Sequence, residues 1–146
     1  MNKYYELKQK QEKERNDFPM FFAFNKKQFN EGMEKFGLNS NNIDKIYGIG
    51  CGGFIRKKDS EKFTGLFDKH NKEMQSAINS DAAGEGFIFD MFRYELANHE
   101  YIITRSLADT LDALDLTFEE VNNNKLLLKG LNLAKKDYIK SYKDVV

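Results

Sequence analysis

Apolar and polar positions along the chain predict a mostly helical protein with a few short strands. Apolar side chains recur three or four positions apart, the spacing of one buried helix face, in three stretches: 61–78, 87–97 and 124–144. A charged segment, 2–17, is also typical of a helix, and it ends before Pro19 because proline disfavours helical backbone in the preceding residue. The pattern favours the α+β class: a helix-dominated single domain with a small (two- to three-stranded) antiparallel sheet.

The strands are predicted from short apolar runs near glycine or proline. Residues 20–24 are wholly apolar, and we expect them to form a buried strand. Two further runs, 45–49 and 54–57, flank a glycine-rich stretch at 50–53, and this arrangement predicts a β-hairpin. Residues 101–104 are either a third strand or a connector.

Polar residues mark several helix boundaries. Asn25 precedes an amphipathic stretch, and Thr117 followed by Glu120 has the spacing of a capping box. A chain of 146 residues is long enough for one domain with an appended helix. We therefore expect a charged amino-terminal helix over residues 1–17 and a single α+β domain over residues 18–146.

Composition excludes several classes of protein. Lys+Arg and Asp+Glu both number 23, so the chain is neither a highly basic nucleic-acid protein nor a uniform polyanionic mimic. Its single cysteine, Cys51, and two histidines are too few for a disulfide framework or a Cys/His metal cage. The charged amino terminus has no apolar signal core and no run is long enough to span a membrane. We expect a cytoplasmic protein with no cofactor, no metal and no membrane segment.

The neutral total hides an uneven distribution of charge. Residues 81–120 hold two Lys+Arg against ten Asp+Glu, a net charge of −8, whereas the other segments are all net positive. Either the basic last helix compensates this segment internally, or the segment forms an acidic face that docks on a basic groove of another protein. Direct binding of nucleic acid by the last helix is disfavoured, because its lysines are accompanied by no arginine. The candidate partner-binding residues are the carboxylates expected to be exposed: Glu95, Glu100, Asp109, Asp112, Asp115, Glu119 and Glu120.

A glycine-rich motif offers an alternative site. Residues 48–53 match the Gly-x-Gly-x-x-Gly pattern of dinucleotide-binding loops, but the β-like pair Phe54-Ile55 follows where that fold needs a helix. A tight hairpin or bulge explains the glycines better. The alternative is a small-ligand or nucleotide site, formed by Gly48, Gly50, Gly52, Gly53 and Arg56.

Three stretches of the chain together carry a family resemblance. They are residues 18–24 (FPMFFAF) leading into 28–33 (QFNEGM), residues 46–57 (IYGIGCGGFIRK) and residues 86–101 (GFIFDMFRYELANHEY). Over roughly residues 4–130 the chain resembles a family of small uncharacterised proteins carried on phages and conjugative elements of low-GC Gram-positive bacteria. The resemblance supplies no catalytic residues. It implies a setting in which small non-enzymatic proteins bind host defence or replication machinery.

These observations lead to one main hypothesis. We expect a protein-binding inhibitor or modulator of a bacterial immune effector, such as a CRISPR nuclease, acting in the host cytoplasm through its acidic face and without catalysis. The partner would be a host or defence protein rather than a nucleic acid or a membrane. Besides the small-ligand alternative, a third hypothesis is a homo-oligomer that pairs through the amino-terminal helix.

Overall fold

The structure is a computed structural model, and it describes residues 1–145. The described chain has the predicted α+β class, with helices predominating over a small antiparallel sheet. In chain order the elements are α1 (Lys3–Asn16), β1 (Phe21–Phe22), α2 (Lys26–Lys35), β2 (Ile46–Gly50), β3 (Gly53–Arg56), α3 (Ser60–Asn79), α4 (Phe87–Asn98), α5 (Tyr101–Thr104), α6 (Ala108–Ala113), α7 (Phe118–Asn122) and α8 (Lys125–Val145). Two 3-10 turns, Ile43–Lys45 and Lys57–Asp59, adjoin the hairpin.

The chain divides into two compact units. One, which we call the helical unit, comprises Met1–Gln11 and Lys72–Val146, and the other, the sheet unit, comprises Glu12–Asn71. The division falls within α1 and within α3. Each unit has its own cluster of buried apolar side chains, and each is described separately.

The sheet unit holds three antiparallel strands in the order β1-β3-β2. Phe21 pairs with Phe54 across β1 and β3, and their rings stack with centroids 5.2 Å apart. The expectation of a buried strand over 20–24 is only partly right. Successive strand residues point to opposite faces, so Phe21 is buried while Phe22 is 55% exposed, and Phe24, beyond the strand, is 75% exposed.

The predicted hairpin is confirmed, with Cys51 and Gly52 as its two loop residues between β2 and β3. Both have positive φ, 51° and 78° respectively, as the two central residues of a type I′ turn require. Glycine adopts this conformation readily, whereas a cysteine does so only at some cost.

The helical unit is built around α4 and α8. Buried apolar residues recur on both helices at the spacings that the sequence predicted: Phe87, Ile88, Met91, Phe92 and Leu96 on α4, and Leu127, Leu131 and Ala134 on α8. Tyr4, in the first turn of α1, packs in the same cluster. Burial of these side chains is the main stabilising contribution within this unit.

Residues 101–104 form the short helix α5, so the alternative that they are a strand is wrong. Glu100 precedes them in the left-handed region, and the Arg105 amide donates to the Tyr101 carbonyl at 2.8 Å, which closes a helical turn. The third strand of the sheet is β1 instead.

The predicted caps are present. Asn25 Oδ1 accepts a 2.8 Å bond from the Gln28 amide at the start of α2. At the start of α7, Thr117 Oγ1 accepts from the Glu120 amide at 3.1 Å and donates to the Glu120 carboxylate at 3.1 Å. These bonds satisfy amide groups that the first turn of a helix leaves without partners. No helix within residues 1–145 combines the length and apolar character needed to cross a membrane.

Candidate functional site

Six of the seven carboxylates predicted to bind a partner are exposed. We call this set the acidic face, and its members lie between residues 100 and 120 of the helical unit: Glu100, Asp109, Asp112, Asp115, Glu119 and Glu120. The short helices α5, α6 and α7 and their connections carry them. Asp109 and Asp112 are one turn apart on α6, so their side chains lie on neighbouring positions of that helix.

The charges of the acidic face are not compensated by ion pairs. Within residues 1–145, none of the six carboxylates pairs with a Lys or Arg. The ion pairs that join residues 81–120 to α8 lie elsewhere, as Glu85 with Lys129 at 3.3 Å and Arg93 with Asp137 at 2.8 Å. The acidic face therefore keeps its negative potential toward solvent.

Two large apolar side chains are exposed in the same segment. Ile103 on α5 is 71% exposed, and Phe118 at the start of α7 is 54% exposed. Surfaces that combine an exposed apolar contact with surrounding charge are typical of protein–protein interfaces, where the apolar group supplies binding energy and the charges supply steering.

Glu95 does not belong to this face, and the expectation that it is exposed is wrong. Its side chain is only 1% exposed, because it follows Met91 by one turn on the buried side of α4. The Tyr4 hydroxyl donates to Glu95 Oε2 at 3.3 Å, and Lys8 Nζ lies 3.8 Å from the same oxygen. Asn98 Nδ2 also donates to the other carboxylate oxygen at 3.3 Å, and these three partners explain how a carboxylate is accommodated in an apolar cluster.

The glycines of the alternative site lie in the hairpin. Gly48 pairs with Phe54 and Gly50 with Gly53, and the register shifts between the two pairs, as in a β-bulge. The glycine run thus forms a strand and its turn, as the hairpin interpretation predicted, rather than a loop that opens a helix.

Gly52 and Gly53 leave room for neighbouring side chains at the tip of the hairpin. A Cβ atom at Gly52 would come 2.5 Å from the Phe24 ring, and one at Gly53 would come 2.8 Å from Ile49 Cγ1. Close packing is therefore one reason for glycine here. Arg56, which the sequence grouped with these glycines, lies at the opposite end of β3.

A cavity of about 750 Å³ in the sheet unit is lined by side chains of both charges. Arg56 Nε donates to Asp59 Oδ2 at 2.7 Å, and Lys69 Nζ donates to Glu14 Oε2 at 3.0 Å. His70, which is buried and does not line the cavity, places its Nε2 3.0 Å from the same Glu14 oxygen. The lining holds three acidic and three basic side chains, so the cavity has no marked preference for a charged ligand.

Comparison with curated proteins and with solved structures gives no match. Comparison with protein families gives one, over residues 3–137, which is most of the chain. The matching family is described only as a family of unknown function, so it transfers no catalytic or binding residue. The protein belongs to this family, DUF7659.

Proposed function

We propose that this protein is a non-catalytic binding protein whose acidic face docks on a basic surface of another protein. The observation that carries the proposal is the set of six exposed carboxylates between residues 100 and 120, which have no ion-pair partner among residues 1–145. Electrostatic potentials of opposite sign on two protein surfaces accelerate the encounter of the proteins and fix the orientation in which they dock.

The contact would combine charge with apolar burial. Ile103 and Phe118 are exposed within the acidic segment, and removing them from water would add affinity that charge alone does not provide. Exposed ion pairs each contribute little, about 0 to 1 kcal/mol, whereas a buried aromatic anchor contributes more. We therefore assign steering to the carboxylates and affinity to these two side chains.

The partner that fits this face is a nucleic-acid-binding protein, because its groove is lined with Lys and Arg to bind phosphates. The resemblance to proteins of phages and conjugative elements makes a bacterial immune effector, such as a CRISPR nuclease, the first partner to test. In that setting the protein would act in the cytoplasm of the bacterial host as an inhibitor.

The test compares two variants of equal charge change. The face variant Asp109→Lys/Asp112→Lys/Glu119→Lys reverses three exposed carboxylates of the acidic face. The control Glu31→Lys/Glu34→Lys/Asp68→Lys reverses three exposed carboxylates of the sheet unit that make no ion pair among the described residues. Each is used to capture proteins from the bacterial host, and the captured protein is then purified and titrated with all three chains.

We expect the wild type and the control to bind the purified partner alike, and the face variant to bind at least about tenfold more weakly. Binding of the wild type should also weaken as salt is raised and should be displaced by the partner's own nucleic acid. Circular dichroism establishes that each variant is folded. Unchanged binding by a folded face variant, or equal loss in the control, would contradict the proposal.

A further inference from the structure

A second cavity, which we call the lysine cavity, has a volume of about 320 Å³ and opens at the base of the hairpin in the sheet unit. Ile46 and Arg56 pair across β2 and β3 at this end, so the residues flanking the two strands are brought together there. The cavity is lined by Phe36, Leu38, Asp44, Lys45, Arg56, Lys57 and Lys58. Its volume falls at the lower end of the range for small-molecule sites.

Positive charge predominates around this cavity. Four of its seven lining residues are Lys or Arg, and one is Asp. The arginine is already engaged, since Arg56 bonds Asp59 and its guanidinium carbon lies 5.3 Å from the centroid of the Phe36 ring. Lys57 Nζ lies 5.0 Å from the centroid of the Tyr47 ring, but within residues 1–145 none of Lys45, Lys57 and Lys58 forms an ion pair. Ammonium groups gathered without carboxylate partners attract anions.

The cavity also has an apolar wall. Phe36 and Leu38 are half-buried and pack against the apolar cluster of the sheet unit, which fixes their position. A small inorganic anion would use the lysines and leave this wall in contact with water. A ligand that carries both a phosphate and a ring would use both, and lysine binds phosphate well as a point charge.

We propose that this cavity binds an organic phosphate of mononucleotide size. The phosphate lies among Lys45, Lys57 and Lys58, and the ring packs on Phe36 and Leu38. The site uses no residue of the acidic face, so it is independent of the proposed docking function. It differs from the alternative that the sequence suggested, because the glycine turn is at the opposite end of the hairpin and only Arg56 is common to both.

Calorimetric titration with the four ribonucleoside 5′-monophosphates tests the proposal, with adenosine and inorganic phosphate as partial probes. The cavity variant is Lys45→Gln/Lys58→Gln, which removes two charges while keeping long polar side chains. The matched control is Lys26→Gln/Lys27→Gln, an exposed lysine pair of the same unit that does not line the cavity. All titrations use the full chain, and circular dichroism checks the fold.

We expect at least one monophosphate to bind, with adenosine and inorganic phosphate binding at least about tenfold more weakly. The cavity variant should lose about tenfold in affinity, and the control should stay within about twofold. Absence of binding by all four monophosphates at millimolar concentration would overturn the proposal. So would equal losses in both variants, or a short single-stranded oligonucleotide that binds more tightly than any monophosphate, since nucleic acid would then be the ligand.

Discussion

The Tyr4 hydroxyl donates a 3.3 Å hydrogen bond to Glu95 Oε2, and both side chains are almost fully buried. The two residues lie 91 positions apart in the sequence, so the bond ties the first turn of α1 to α4 within the helical unit. Asn98 Nδ2 donates to the other carboxylate oxygen at 3.3 Å. Loss of one donor would leave a buried charge with fewer partners, which is costly.

We predict that Tyr4→Phe and Glu95→Gln each lower the free energy of unfolding by about 1.5–3 kcal/mol, the usual range for a hydrogen bond to a charged group. In the wild type, Tyr4 and Asn98 each donate to one oxygen of the Glu95 carboxylate. In Glu95→Gln one of these oxygens is replaced by an NH₂ group, which cannot accept a hydrogen bond from the donor that it faces. Because the two side chains share one bond, the double variant should lose less than the sum of the single losses. Urea unfolding of the four chains measures this coupling, and strict additivity would contradict it.

Alkaline pH gives a second test of the same bond. Burial, followed by the nearby negative charge of Glu95, raises the pKa of Tyr4 above its ordinary value of 10.0. Below about pH 10 the tyrosine is neutral in both folded and unfolded chains, so its hydrogen bond makes its full contribution to the free energy of unfolding. Above that pH the unfolded chain ionises first, so folding is disfavoured. The stability advantage of the wild type over Tyr4→Phe should therefore shrink as pH rises past about 10.

Asp81 organises the loop before α4, and we predict that Asp81→Asn lowers the free energy of unfolding by about 1–2 kcal/mol. Its Oδ2 accepts from the amides of Gly86 and Ile88 at 3.0 and 2.9 Å, and its Oδ1 accepts from that of Gly84 at 2.9 Å. An asparagine offers only one oxygen for these donors. Asp68→Asn, at an exposed position of α3, is the control and should change little.

The same loop predicts an acid-dependent loss of stability. Desolvation acts to raise the pKa of Asp81, but the backbone amide bonds outweigh it and hold this pKa below its ordinary value of 3.8. The unfolded chain therefore takes up the proton first as pH falls. The difference in unfolding free energy between the wild type and Asp81→Asn should be complete above about pH 5 and should decrease toward pH 2. A difference that stays constant over this range would contradict the role of the carboxylate.

At the hairpin tip, we predict that Cys51→Asn stabilises the protein by about 0.5–1 kcal/mol, because it relieves part of the cost of a left-handed backbone conformation. Cys51 has a φ of 51°, a left-handed conformation that asparagine adopts more readily than cysteine. Asn-Gly is also the preferred pair for a two-residue hairpin loop. Cys51→Ser separates this effect from loss of the thiol, because serine lacks the preference and should give little gain. Thermal unfolding of the three chains makes the comparison.

Local patterns in the sequence predicted the helices well. The row of buried apolar residues on α4 follows from their spacing within one segment of the chain. The start of α7 at Thr117 follows from a cap that forms within four residues. Both are properties of short stretches of chain, so the sequence contains the information that specifies them.

Features that depend on distant residues were harder to predict. Glu95 shares the buried side of α4 with Met91, a signal present in the spacing, but its burial becomes reasonable only once Tyr4 is known to reach it. The lysine cavity was missed for the same reason, because Lys45 and Lys58 meet only when the hairpin aligns its two ends. The sequence also leaves open whether the last helix compensates the acidic segment, because pairing between residues 81–120 and α8 joins distant parts of the chain.

Two helical glycines of the sheet unit provide the last prediction, because the same substitution should have opposite effects at each. A Cβ atom at Gly32 on α2 would overlap the ring of Phe21, whereas one at Gly65 on α3 would meet no atom within 4 Å. Alanine favours a helix interior over glycine by about 1 kcal/mol at either position. At Gly65 this gain is unopposed, so Gly65→Ala should raise the free energy of unfolding by about 0.5–1 kcal/mol.

At Gly32 the gain in helix propensity is outweighed by the overlap of the new methyl group with the Phe21 ring. Phe21 lies among the rings of Phe29, Phe36 and Phe54, so it cannot move without displacing its neighbours, and overpacking of this kind costs about 1–3 kcal/mol. We therefore expect Gly32→Ala to lower the free energy of unfolding in urea, while Gly65→Ala raises it. If both variants were more stable than the wild type, α2 would not approach β1 as closely as it does in this structure. The packing that holds Phe36 beside the lysine cavity would then be contradicted as well.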